Sequence, residues 1–164
     1  MSRRPRSARI GALVLALALV ALGCAGGPPG GDAARGTPEL VVSAAQASAP
    51  VAGTSQIVLA IDNVGDGDDA LVAVDTPAAL AVELHLTEVV DGRATMRLLE
   101  RVALPAGTSV RFRPGELHLM MIVPDERVVV GGTFEVTLRF DRSPARTIEV
   151  VVVELLDLVE GAEG

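Results

Sequence analysis

The stretch VELHLTEVVDGRATMRLLE, residues 82–100, decides the fold. Its first half alternates, with Val82, Leu84 and Leu86 pointing one way and Glu83, His85 and Thr87 the other, which is the period of a half-buried strand. Asp91-Gly92 then supplies the two residues that a tight hairpin turn prefers, because both of its central positions need a positive φ. Residues 82–90 and 94–100 are therefore expected to pair antiparallel. His85 falls on the polar, accessible face of that pair, and Met96 lies across the turn from it.

The same pattern extends in both directions. Upstream, residues 40–42 read as an edge strand, 56–61 as a largely buried strand and 71–74 as a short one. Downstream come 102–104, a Pro105-Ala106-Gly107 turn, 109–113, a Pro114-Gly115 turn and 117–123. Residues 133–140 alternate cleanly, with Phe134, Val136, Leu138 and Phe140 inward. Residues 146–155 close the series, and the run from Val150 to Val153 suits a strand covered on both faces. Short strands punctuated by turn residues at this spacing predict an all-β fold, a cupredoxin-like or immunoglobulin-like β-sandwich of eight or nine strands. With three Phe, no Trp and no Tyr, its core must be aliphatic. No helix, internal repeat or phosphate loop is evident.

The ends differ in character. Residues 1–23 combine four Arg with an apolar run of about thirteen residues, shorter than the roughly 20 that a spanning helix needs. Ala21-Leu22-Gly23-Cys24 resembles a bacterial lipobox, in which the Cys becomes the acylated first residue. The same small residues also fit an ordinary secretory cleavage site. Lipidation at Cys24 is favoured because the only Cys of the chain stands there. Several acyl chains on one Cys anchor stably where a single chain does not. The protein is thus expected to be exported and lipid-anchored to the outer face of the cell membrane, or periplasmic. Residues 24–38 are Gly, Pro, Ala and a few charges and read as a flexible tether. Residues 39–156 form the sandwich domain, and 157–164 an acidic tail that frays.

Charge and cysteine count remove several function classes. The 21 acidic residues against the ten Arg that follow Cys24 leave about −11 on the processed chain. An acidic protein without a basic stripe does not bind nucleic acid, since phosphate contacts supply most of that affinity. A blue-copper centre needs a Cys thiolate with two His, and the one Cys is committed elsewhere. The acidic loop from Asn63 to Asp69 fails the EF-hand pattern, because the positions that should carry ligands include Val64 and Ala73. It reads instead as a solvated turn whose residues tolerate left-handed backbone. No nucleophile elbow or Ser–His–Asp arrangement is present, so the chain reads as a binding protein and not as an enzyme.

Both histidines, His85 and His118, and the methionines Met96 and Met120 gather around the hairpin and residues 117–123. On that later strand His118 and Met120 share a face with Glu116 and Ile122, while Leu117, Leu119, Met121 and Val123 face the core. Singly, each Met has a packing explanation and each His a surface one. Together, imidazole nitrogen and thioether sulfur suit a soft monovalent metal such as Cu(I). A zinc site built on His85, His118 and Glu83 or Glu116 is a further alternative, although it gives Met96 and Met120 no role. From the residues alone, packing and metal binding both remain open.

The spacing His85–x10–Met96–x21–His118–x–Met120 resembles the signature of the periplasmic copper chaperones of the PCu(A)C type. Asp62-Asn63-Val64-Gly65-Asp66, Val82-Glu83-Leu84-His85, Leu104-Pro105-Ala106-Gly107, Pro114-Gly115 and His118-Leu119-Met120 are similar to landmarks of that family. The likeness runs from about Leu40 to Val153. Leu86 stands where many members have a Met after the first His, and no aromatic residue occurs between Leu40 and Val51. The resemblance implies a Cu(I) site on His85, Met96, His118 and Met120, and an extracytoplasmic, monomeric metallochaperone. It further implies delivery to the copper-centre subunit of cytochrome c oxidase, alongside a Sco-type protein. The competing reading is a structural or adaptor β-sandwich lipoprotein without a functional metal site.

Overall fold

The computed structural model describes residues 36–161. The export signal over 1–23, Cys24 and most of the tether lie outside the described residues. Ten strands follow one another, β1 (Leu40–Ser48), β2 (Thr54–Asn63), β3 (Asp69–Asp75), β4 (Ala79–Val90), β5 (Arg93–Leu99), β6 (Val102–Leu104), β7 (Ser109–Phe112), β8 (Leu117–Pro124), β9 (Thr133–Phe140) and β10 (Arg146–Val153). A short helix, α1 (Leu155–Gly161), ends the described chain.

The strands hydrogen-bond in the order β5-β4-β8-β2-β1-β10-β9-β3-β6, with β7 paired to β2 beyond the point where β8 leaves it. All pairs are antiparallel except β1 with β10. The ladder folds over on itself, so that Leu59, Leu84, Leu119 and Met121 from one half meet Leu71, Phe134, Leu138 and Val150 from the other in one continuous core. The sandwich follows from the alternation: on β9 Phe134, Val136, Leu138 and Phe140 are buried, as the sequence implies. Asp91 and Gly92 both take positive φ, 51° and 74°, and join Val90 to Arg93 in the two-residue turn expected of them.

Several expectations are corrected. β1 is not an edge strand: it runs to Ser48 and lies between β2 and β10, with a bulge at Ala44 that breaks its alternation. The Ala-rich run 44–49 hid this continuation, because small residues carry little periodic signal. Ten strands replace eight or nine. On β10 Val150 and Val152 are buried but Val151 is 41% exposed, so its neighbours β1 and β9 cover its edges and not both faces. The tail does not simply fray at 157, since α1 packs on β1 and buries Leu158 completely. Val123, assigned to the core, is exposed where the end of β8 takes a positive φ.

The acidic loop is a structural joint. None of its residues has positive φ. Gly65 and Gly67 serve close approach instead: a Cβ on Gly65 would lie 2.3 Å from the Thr37 carbonyl oxygen, and one on Gly67 2.2 Å from that of Gly36. Gly36 and Thr37, read as tether, are thereby fixed against the domain, with the Thr37 N–H donating to Asp66 Oδ1 at 2.7 Å. Asn63 is buried at the centre. Its Oδ1 accepts from the Glu39 and Gly65 N–H groups, and its Nδ2 donates to the Gly67 and Leu104 carbonyls. Asp69 accepts from the backbone of Ala70, Arg142 and Ser143. Burial would raise its carboxyl, but these hydrogen bonds outweigh it and hold Asp69 below the usual carboxylate range. The acidic side chains are thus engaged by amides of neighbouring segments.

Removing the Asn63 side chain strands several buried backbone groups at once. Asn63→Ala is expected to cost about 2–4 kcal/mol, measured as a lowered urea midpoint with an unchanged m-value. A loss below about 0.5 kcal/mol would show that the joint does not hold the loop.

Candidate metal centre

β4 and β8 are neighbours in the sheet, and their register puts His85 directly opposite His118 and Glu83 opposite Met120. Directly opposed residues of an antiparallel pair project to the same side, with Cβ atoms about 4.5–5.5 Å apart. The imidazole centroids are 5.8 Å apart and the ring planes meet at 69°. Met120, two residues from His118, shares that face. On the other flank of β4, β5 sets Leu98 opposite His85 and Met96 opposite Thr87. Met96 is therefore diagonal to His85, on the same side of the sheet. The four residues singled out by sequence lie on one face of three adjacent strands.

Their burial is graded. His118 is 1% exposed and Met120 8%, while Met96 is 59% exposed at the sheet edge. His85 is half-buried between them. The face is drier than its alternation with Glu83, Thr87 and Glu116 implied, since His118 and Met120 are both buried on it.

Each imidazole has one nitrogen engaged by an oxygen. His85 Nε2 is 2.9 Å from Glu83 Oε2, and His118 Nδ1 is 3.0 Å from the Glu116 carbonyl oxygen. Both oxygens accept, so these ring nitrogens donate, and in the neutral form of each ring the lone pair lies on the opposite nitrogen. Those opposite atoms, His85 Nδ1 and His118 Nε2, are buried and make no hydrogen bond. Burial holds the His118 pKa below its ordinary value and the neighbouring His85 pushes the same way, against the opposing pull of the Glu116 carbonyl. His118 accordingly stays neutral, with its lone pair free, at neutral pH. Partners of this kind on the far nitrogen are what orient imidazoles for metals.

Among the described residues, no three His, Cys, Asp or Glu side chains converge as metal ligands. Glu83 is spent on His85 Nε2 and Glu116 offers His118 only its backbone oxygen, so the carboxylate that a zinc set requires is not supplied. The soft and borderline donors that the face offers are two nitrogens and two thioethers.

A family model described as "Putative lipoprotein LpqE-like" matches residues 39–152. The chain belongs to the LpqE-like family. A relative, "Putative lipoprotein Lxx21020" of Leifsonia xyli subsp. xyli (strain CTCB07), is 28% identical over 105 residues, 63% of this chain and 63% of its own length. The match thus spans less than two thirds of that relative. Among solved structures, the copper-bound PCuAC domain from PmoF2 superposes with a TM-score of 0.60 at 22% identity, over 70% of this chain and 92% of that one. The solution structure of CuI-DR1885 from Deinococcus radiodurans gives a TM-score of 0.60 at 22% identity, over 78% and 85%. These likenesses establish the cupredoxin-like sandwich and bear out the PCu(A)C resemblance of this LpqE-like chain.

The orphaned lone pair on His118 has a cost that can be measured without metal. Its pKa is depressed in the folded state, so below about pH 6.5 the unfolded chain binds a proton that the folded chain refuses, and stability falls as pH falls. His118→Leu removes both burdens. The metal-free variant is expected to match or exceed the native chain in urea midpoint at pH 7, with its advantage growing toward pH 5. An advantage that shrinks on acidification contradicts this account.

Proposed function

We propose that this protein is an extracytoplasmic metallochaperone that holds one Cu(I) on His85, Met96, His118 and Met120 and passes it on. The observation that carries this reading is the pair of buried imidazole nitrogens without hydrogen-bond partners, set on a face that also presents two thioethers. Burying such lone pairs without partners is unfavourable, and a soft cation relieves both at once. Thioethers have no proton to lose and favour Cu(I) over Zn(II). Without a thiolate the site is of moderate strength, which suits a carrier. It also tolerates an oxidising compartment in which thiols are lost.

The gradient of burial supports transfer. Met96 stands at the rim with Val89 and Leu98, both exposed, where an incoming ligand of a partner would displace its sulfur before reaching the histidines. Copper bound in the similar PCuAC structures and membership of a family described as lipoproteins support the same reading. We further propose export, anchoring through an acylated Cys24, and delivery to the copper centre of cytochrome c oxidase together with a Sco-type protein, with the chain acting as a monomer and catalysing no reaction.

The test is an anaerobic Cu(I) titration against a chromogenic chelator. The native chain is expected to retain one copper, and the Met96→Ala, Met120→Ala double variant to hold it at least about 100-fold more weakly. Losing even an outer hydrogen-bond partner of a ligand costs about 10–100-fold. If the native chain cannot compete, or the variant competes equally, the chaperone reading fails and a structural or adaptor role takes its place.

A further inference from the structure

Among the described residues, three buried side-chain atoms lack any hydrogen-bond partner: His85 Nδ1, His118 Nε2 and Gln56 Oε1. The first two belong to the copper site. The third comes from β2, which pairs with β8 on the side away from β4, and there Gln56 stands directly opposite Met120. Glu83, Met120 and Gln56 thus form one row across three strands, on the face that carries His85 and His118. Its backbone is provided for, since the Gln56 N–H donates to Ser48 Oγ. Of its buried side-chain atoms, the carbonyl oxygen is left without a partner. A buried amide oxygen in this condition destabilises the fold and calls for an explanation.

The chemistry of that oxygen supplies one. Two imidazoles and two thioethers satisfy Cu(I), which has no need of a hard donor. Cu(II) is harder, takes more ligands and accepts nitrogen and oxygen in tetragonal sites. In blue-copper centres a Gln oxygen can take the weak axial place otherwise held by Met. We propose that Gln56 Oε1 is an additional copper ligand, engaged by the oxidised ion, so that the same site also retains Cu(II). This rests on the His/Met reading of the site and extends it from one oxidation state to two. No electron transfer by the protein is involved; Gln56 supplies a donor atom and nothing else.

The experiment compares the native chain with Gln56→Leu and Gln56→Glu. Each is loaded with copper(II) sulfate for electron paramagnetic resonance and for competition against glycine, and separately titrated with Cu(I) under anaerobic conditions. The native chain is expected to bind one Cu(II). Gln56→Leu should hold Cu(II) at least about tenfold more weakly with altered parallel hyperfine coupling, while Gln56→Glu, which keeps an oxygen, should retain it. All three should hold Cu(I) alike, to within about twofold. Identical Cu(II) spectra and affinity in the native and Leu chains overturn the proposal. So does a native chain that binds no Cu(II), or a Leu variant that loses both oxidation states equally, which would mark Gln56 as packing. Failure of all three chains to hold Cu(I) would instead sink the His/Met reading. Thermal melting of each variant shows that it is folded, and the Leu side chain, which leaves no orphaned oxygen, is not expected to unfold it.

Discussion

Everything at the candidate centre depends on one register, the antiparallel pairing of β4 with β8 that sets His85 against His118. Side chains alternate along a strand, so a slip of one residue would carry one histidine to the opposite face and bring a leucine in its place. The register is held from the other side of the sheet. Leu84 meets Leu119 in the core, next to Met121, and all three are buried. Exposing them would cost the hydrophobic stabilisation of several large side chains, roughly 1.5–3 kcal/mol each. The aliphatic core thus fixes the position of the polar face behind it. The arrangement needs no disulfide, and the chain has no second Cys with which to make one.

The face so positioned is costly to maintain. Two ring nitrogens and one amide oxygen are withdrawn from water without compensation, and the rest of the domain must be stable enough to bear this. Part of that stability comes from the joint around Asn63 and Asp69, where nearly every donor and acceptor is matched across segments distant in sequence. Polar groups are thus well satisfied at one place and orphaned at another, on the face that carries both histidines.

Much of this was legible in the amino-acid sequence because its punctuation is strong. Asp91-Gly92 announced the hairpin, and the alternation of β9 and of residues 82–86 announced which side chains point inward. The sharing of a face by His118 and Met120 follows from strand geometry alone. Other features carry no local signal. The diagonal placing of Met96 beside Thr87 is set by the turn type together with the ladder, and no composition rule fixes it in advance. Gln56 looks like an ordinary polar residue at the start of a buried strand, and only the pairing of β2 with β8 brings it beside Met120. In α1 the apolar residues Leu155, Leu156, Leu158 and Val159 span little more than one turn, too short a run for helical periodicity to stand out. The glycines of the acidic loop resemble turn-formers until the segment that packs against them is known.

The position of β5 has a mechanical consequence. It is the outermost strand, held by β4 alone, and it carries Met96, whereas His85, His118 and Met120 ride on strands bonded along both sides. An edge hairpin can fray while interior strands stay zipped, because local opening free energies range from near zero to the global value. The proposed coordination sphere can therefore come apart in a set order, its outer sulfur leaving with the hairpin while the inner three donors hold. A cation held in the proposed way would lose its outermost donor through the softness of the scaffold at one corner, with the three inner donors left for an incoming ligand to displace.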